Sequence, residues 1–145
     1  MLLQSILQRK GSMVYTIRPD ATLQDVLYRL VHHGIGALVV TSTGEQDGEV
    51  LGIITERDIL RTCASGRWPL SALRVADFMT RQLFTGSPED PIEEAMRLMT
   101  EKRIRHLPVL SKGRLVGLVS IGDVVKAQHD LLAVENRFMK DYIRG

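Results

Sequence analysis

Cysteine is nearly absent from this chain. Cys63 stands alone among 145 residues, so no disulfide can close within it, and no Cys/His spacing resembles a zinc site. A reducing compartment follows from that economy, and the cytoplasm is the expected location. Charge of one sign is missing too: 19 Lys and Arg stand against 17 Asp and Glu, a formal net charge of +2. So even a balance excludes a dedicated binder of nucleic-acid backbones. No stretch reaches the ~18 consecutive apolar residues of a membrane span. The apolar start, Met1 to Leu7, lacks the basic leader and small-residue cleavage site of a secretory signal. Neither nucleic acid nor membrane is therefore expected as a partner. What is present is ordinary for a globular domain, 44% hydrophobic and 25% charged, which excludes disorder.

The chain repeats itself. Thr16-Ile-Arg-Pro19-Asp20, an amphipathic run and Ile35-Gly-Ala-Leu38-Val-Val40 reappear 69 residues later as Thr85-Gly-Ser-Pro88-Glu89, a second such run and Ile104-Arg-His-Leu107-Pro-Val109. Gly52-Ile-Ile-Thr55-Glu-Arg-Asp58 returns as Gly117-Leu-Val-Ser120-Ile-Gly-Asp123 at an offset of 65. The four residues lost between the blocks fall where Gly44 to Glu49 gives way to Gly113-Arg114, a turn whose length surface loops tolerate. Ile6-Leu7 precedes the first unit as Phe78-Met79 precedes the second. Order, residue type and spacing agree over about 40 positions, which is internal duplication.

Each unit reads as strand, helix, strand, strand, helix, an α+β pattern. Leu23, Val26, Leu27, Leu30 and Val31 recur at helical spacing, with Thr22 as N-cap, Asp25 three residues on and Gly34 past the end. Ile92, Ala95, Met96 and Met99 do the same behind Asp90-Pro91, with Asp90 as the expected cap. A unit of roughly 60 residues buries too little surface to stand alone. Two packed face to face create a pseudo-twofold axis with a cleft on either side. The divisions are residues 1–64 for the first unit, 65–74 for a linker, 75–128 for the second unit and 129–145 for a last helix. In the linker Trp68 is expected to pack against the domain, and Cys63 to be buried beside Ile59 and Leu60. Leu131, Leu132, Val134, Phe138, Met139 and Tyr142 give the last helix a broad apolar face, suited to core or subunit contact.

The repeated pattern of hydroxyl, two residues and aspartate at a helix start, Thr55/Asp58 and Ser120/Asp123, has two readings. One is a capping box. The other is a nucleotide site, in which helix-start amides and the hydroxyl meet phosphate while the carboxylate accepts from a ribose diol. Arg105 and His106 stand where the second unit's strand begins, suited to gripping phosphate oxygens; the aligned residues Gly36 and Ala37 carry no charge. The clefts are thus chemically unequal, although Arg57 within the first signature could reach a phosphate. His32-His33 reads as a surface pair, and Gly34-Ile-Gly36 lacks the context of a dinucleotide loop. No spacing suggests a nucleophile with its base, so an enzyme is disfavoured.

With Val75-Ala-Asp77-Phe-Met79-Thr80, Arg103-Ile-Arg-His-Leu-Pro-Val109 and the two Gly-to-Asp signatures, the chain resembles a tandem pair of cystathionine-β-synthase (CBS) domains, of the small stand-alone kind. The resemblance implies two β-α-β-β-α units that bind AMP, ADP, ATP or NAD(H), with S-adenosylmethionine ranked behind them and no cofactor required. It also implies a disk-shaped homodimer joined through helices. Site residues carried over by the motifs are Ser120, Asp123, Thr55 and Asp58 for phosphate and ribose, and Arg105 and His106, followed by Pro108, for the phosphate region. Thr16 and Thr85 would border the adenine, and Ala37 and Arg57 complete the first unit's set. Because the first unit has Gly36-Ala37 and Val39 in place of the basic pair and proline, Asp123 is the stronger expected ligand site and Asp58 the weaker. The implied role is a non-catalytic nucleotide sensor acting on a partner. The alternative is an interaction module with vestigial clefts.

Overall fold

The computed structural model describes residues 1–144. In the first unit β1 (Thr16–Ile17) runs parallel to β2 (Ala37–Thr41), which pairs antiparallel with β3 (Val50–Thr55). Helix α2 (Leu23–His33) intervenes and α3 (Glu56–Ala64) follows. The Thr22 hydroxyl accepts from the Asp25 amide and the Asp25 carboxylate from the Thr22 amide, at 3.1 and 3.0 Å. Gly34 ends α2 in the left-handed region, so both ends form as the sequence dictates.

The second unit comprises α5 (Ile92–Lys102), the antiparallel pair β4 (His106–Ser111) and β5 (Arg114–Ser120), and α6 (Ile121–Arg144). Its expected first strand shrinks to a single parallel bridge between Gly86 and Val109. Gly86 offers no side chain and Pro88 no amide, so the ladder cannot extend as it does from Thr16. Asp90 is not the cap of α5 either. Pro91 holds that position, and the Asp90 carboxylate accepts from the Ser87 amide at 2.8 Å, closing the preceding turn.

The segments ahead of the units are exchanged between them. Leu3, Ile6 and Leu7 of α1 (Leu3–Lys10) lie in one core with Ile92, Met99, Leu107 and Val119 of the second unit. Leu70, Val75 of α4 (Val75–Phe78) and Met79 lie in the other core with Leu23, Leu38 and Ile54 of the first. The crossing is pseudo-symmetric: Leu2 bridges Pro91 as Arg74 bridges Thr22. The signature glycines permit it. A Cβ on Gly52 would lie 2.7 Å from the Thr80 carbonyl oxygen and 3.0 Å from the Met79 sulfur, and one on Gly117 would fall on the Leu7 methyls.

A third cluster, Val14, Val39 and Leu115, joins the units. Beside it Gln46 accepts from the Val14 amide (2.9 Å) and donates to the carbonyls of Ser12 (2.7 Å) and Leu115 (3.2 Å). The longer first-unit turn is therefore a tie between units rather than a free loop.

Two apolar expectations fail. Trp68 is 75% exposed, because Leu70 fills the linker's place in the core. Cys63 is exposed, as is Leu60, because α3 turns Asp58, Ile59 and Thr62 inward instead. Leu27 and Val31 of α2 also face outward, leaving Leu23, Val26 and Leu30 buried. No helix among the described residues is long and apolar enough to cross a membrane.

Candidate functional site

Both signatures fold as capping boxes. The Asp58 carboxylate accepts from the Thr55 amide at 3.0 Å, and the Asp123 carboxylate from the Ser120 amide at 2.9 Å. The hydroxyls of Thr55 and Ser120 accept in return from the Asp58 and Asp123 amides, at 3.4 and 3.1 Å. Within each unit the first amide of the helix also extends the strand ladder. The Glu56 amide donates to the Gly36 carbonyl at 3.0 Å, and its repeat counterpart, the Ile121 amide, to the Arg105 carbonyl at 2.8 Å.

What surrounds the two aspartates differs. Asp58 lines a cavity of about 710 Å³ together with Thr55, Arg57 and Arg61 from the first unit, Thr80, and Lys102, Arg103, Arg105, His106 and Ser120 from the second. Five Lys and Arg residues line it along with Glu56 and Asp58. A volume of that size lies within the ~300–1,000 Å³ of small-molecule sites. Asp58 itself is 8% exposed, and its other oxygen accepts only a long bond, 3.3 Å, from the Thr80 hydroxyl. Asp123 opens instead on a cavity of about 160 Å³, where Lys10 donates to it at 2.6 Å.

The basic pair of the second unit therefore shares a cavity with the aspartate of the first. Gly36 leaves room for this: a Cβ there would stand 3.1 Å from a Glu56 carboxylate oxygen and 3.2 Å from the His106 ring, close enough to push either side chain a few tenths of an ångström. The small residue that looked like a deficiency in the sequence is the space His106 occupies. Burial pushes His106 below the ordinary histidine value of 6.5, while Glu56 pulls it back up. For Asp123, burial opposes ionisation, but hydrogen bonds from Lys10 and the Ser120 amide outweigh it and hold the carboxyl below its usual range.

Four predicted residues lie elsewhere. The Thr16 hydroxyl donates to the Gly44 carbonyl at 2.6 Å, Thr85 is exposed, Ala37 is buried in β2 opposite Thr55, and Pro108 is buried in β4. None of these four lines the large cavity. No cluster of His, Cys, Asp or Glu among the described residues could hold a metal ion.

Sequence reasoning missed Arg103, Thr80 and Lys10. Arg103 ends α5 in the left-handed region (φ 55°, ψ 42°), the position Gly34 holds in the first repeat. An arginine where the repeat has glycine was the available signal, since a side chain there costs about 1 kcal/mol of backbone strain. Its carbonyl accepts from the Arg57 guanidinium at 3.1 Å, fixing the two cations together. Arg103→Gly is expected to stabilise the protein by about 1 kcal/mol while weakening anion binding, opposite signs that melting and titration would separate.

The CBS-domain family model matches residues 12–65 and 75–130. The chain belongs to the CBS-domain family. This CBS pair is 41% identical over 128 residues to the mitochondrial CBS domain-containing protein CBSX3 of Arabidopsis thaliana, covering 87% of this chain but 62% of the relative. Among solved structures, the CBS-domain protein ATU1752 of Agrobacterium tumefaciens superposes with a TM-score of 0.82 at 39% identity, covering 88% of this chain and 99% of that one. The CBS pair of protein MJ0100, solved with 5′-methylthioadenosine and S-adenosylmethionine, shares the fold (TM-score 0.75, 23% identity, 88% and 98% covered). Two CBS units in an α+β arrangement are thus established for this chain.

Proposed function

We propose that this CBS pair is a non-catalytic regulatory module that binds an adenine nucleotide in its large cavity and passes the occupancy to a partner protein. One observation carries the reading: the carboxylate of Asp58 and a cationic cluster contributed mainly by the other unit line a single cavity. A carboxylate accepts from the two hydroxyls of a ribose, displacing the long bond from Thr80. Guanidinium groups grip phosphate in planar, forked pairs. Together they describe AMP, ADP, ATP or NAD(H). S-adenosylmethionine, held by the MJ0100 pair, ranks behind because its sulfonium adds a positive charge to a basic cavity. A ligand held by α3 on one side and the α5–β4 turn on the other favours the arrangement in which both reach it. Only such differential affinity shifts a population.

A homodimer joined through exposed helices completes the reading, with the cytoplasm as its compartment; cell fractionation would separate that from the mitochondrial location of the Arabidopsis relative. Leu132, Phe138, Met139 and Tyr142, exposed on α6, favour a second reading as an interaction module.

Thermal melts with AMP, ADP, ATP, NADH and S-adenosylmethionine decide between them. A ligand at 100 times its dissociation constant stabilises by about 2.7 kcal/mol. No shift with any of the five at millimolar concentration leaves the interaction module standing.

His106 adds a pH dependence. Its lowered value leaves it neutral at pH 7, and a bound phosphate favours the imidazolium. Binding then takes up a proton, so affinity rises as pH falls through the region below 6.5. The ligand-free protein moves the other way, losing stability over the same region because the unfolded chain protonates first. Titrations with NAD, whose diphosphate does not titrate in that range, should slope for the native protein and flatten for His106→Gln.

A further inference from the structure

The two signatures are equivalent in their own geometry and differ in what else reaches the carboxylate. Asp58 accepts a long bond from a neutral hydroxyl, Thr80 at 3.3 Å. Asp123 accepts a 2.6 Å bond from the Lys10 ammonium, which also donates to the Leu118 carbonyl at 2.8 Å. Two acceptors fix that ammonium in place. The helix behind it is anchored as well, by the buried side chains of Leu3, Ile6 and Leu7 and by Arg9, whose guanidinium lies 3.3 Å from Asp130.

The difference arises from the length of the exchanged segments. Leu7 stands over Gly117 as Met79 stands over Gly52. Helix α4 stops at Phe78, and Thr80 then pairs with Ile53 through two backbone hydrogen bonds of 3.0 and 2.8 Å. Helix α1 continues to Lys10, three residues beyond Leu7. Three residues beyond Met79 the chain has the exposed Gln82, and among the described residues no Lys or Arg hydrogen-bonds to Asp58, although several share its cavity. Asp123 and Lys10 also line a groove of about 160 Å³ between α1 and α6, whereas Asp58 lines the cavity of about 710 Å³.

The geometry points to Lys10 as a built-in occupant of the second cleft, so that each chain takes one adenosyl ligand, at Asp58, and a second only when α1 withdraws its ammonium from Asp123. This rests on the nucleotide-binding reading above and adds to it a stoichiometry and the residue that sets it. A ribose diol arriving at Asp123 would have to replace a charged donor by neutral ones, whereas at Asp58 it replaces one hydroxyl by two. The N-terminal helix thereby competes with ligand for the second site.

Calorimetric titration of the full chain with AMP, and separately with ATP, tests this. The native protein should bind one equivalent. Lys10→Met, which keeps the aliphatic stem and removes the charge, should bind two, while Lys10→Arg, which restores a cation, should return to one. Melts without ligand establish that all three are folded. Two equivalents in the native protein, or one in Lys10→Met, overturn the role of Lys10 and leave the nucleotide-binding reading intact. Absence of binding in all three overturns that reading, and the occupant with it.

Discussion

Asp58→Ala is expected to lower adenine-nucleotide affinity by about two orders of magnitude, the largest functional effect of any single substitution in the chain. The carboxylate would accept two ribose hydroxyls, and hydrogen bonds to a charged group are worth about 1.5–3 kcal/mol each. Losing about 3 kcal/mol corresponds to a roughly hundredfold rise in dissociation constant. Stability changes far less, since removal of a capping carboxylate costs about 1 kcal/mol. Asp58→Asn keeps an acceptor oxygen and loses the charge, and should fall between. Calorimetric titration of both beside Asp123→Ala reads the ranking. The sequence alone orders the two aspartates the other way, because the basic pair belongs to the repeat that contains Asp123. If Asp123→Ala abolished binding and Asp58→Ala did not, the ligand would occupy the other cleft and the large cavity would not be its site.

Removal of residues 1–10 is expected to abolish the folded state. Those residues lie outside both stretches matched by the family model, yet Leu3, Ile6 and Leu7 are buried in the second unit's core. Burying each such side chain contributes about 1.5–3 kcal/mol, so the three together rival the 5–15 kcal/mol total stability of an ordinary domain. Leu3→Ala, a milder version at a fully buried position, should cost about 3 kcal/mol. Circular-dichroism melts would show a single lowered transition if the units unfold together. Retention of the native melting point in the truncated chain would mean that α1 does not support the second core.

The fold was legible because both repeats carry the same change of hydrophobic period, from helix to strand, and because Thr22 with Asp25 and Gly34 punctuate α2 as local rules require. The candidate site was legible only in part: Asp58, Thr55, Arg57, Arg105, His106 and Ser120 line one cavity, whereas Asp123, Thr16, Thr85, Ala37 and Pro108 do not line it. Its grouping was not legible, because pairing Asp58 with His106 depends on how two repeats face each other, and a linear offset carries no such information. Gly36 reads as a missing charge until the ring of a residue 70 positions away fills the space. Lys10 had no signal at all, since a lysine at the end of a short amphipathic helix is what any solvated surface offers. Trp68 and Cys63 misled for a simpler reason. Apolar character favours burial, but Leu70 and Ile59 had already taken the places available.

The exchanged leaders have a consequence for what counts as half of this molecule. Severed in the linker, the N-terminal fragment would carry a helix that only the C-terminal fragment can cover, and the C-terminal fragment would carry Val75 and Met79, which only the N-terminal one can cover. Each piece is thus complementary to the other and incomplete in itself, as in a dimer built by reciprocal segment exchange. The linker then acts as a tether: it raises the effective concentration of one piece about the other, and the fold would be recovered by mixing the two.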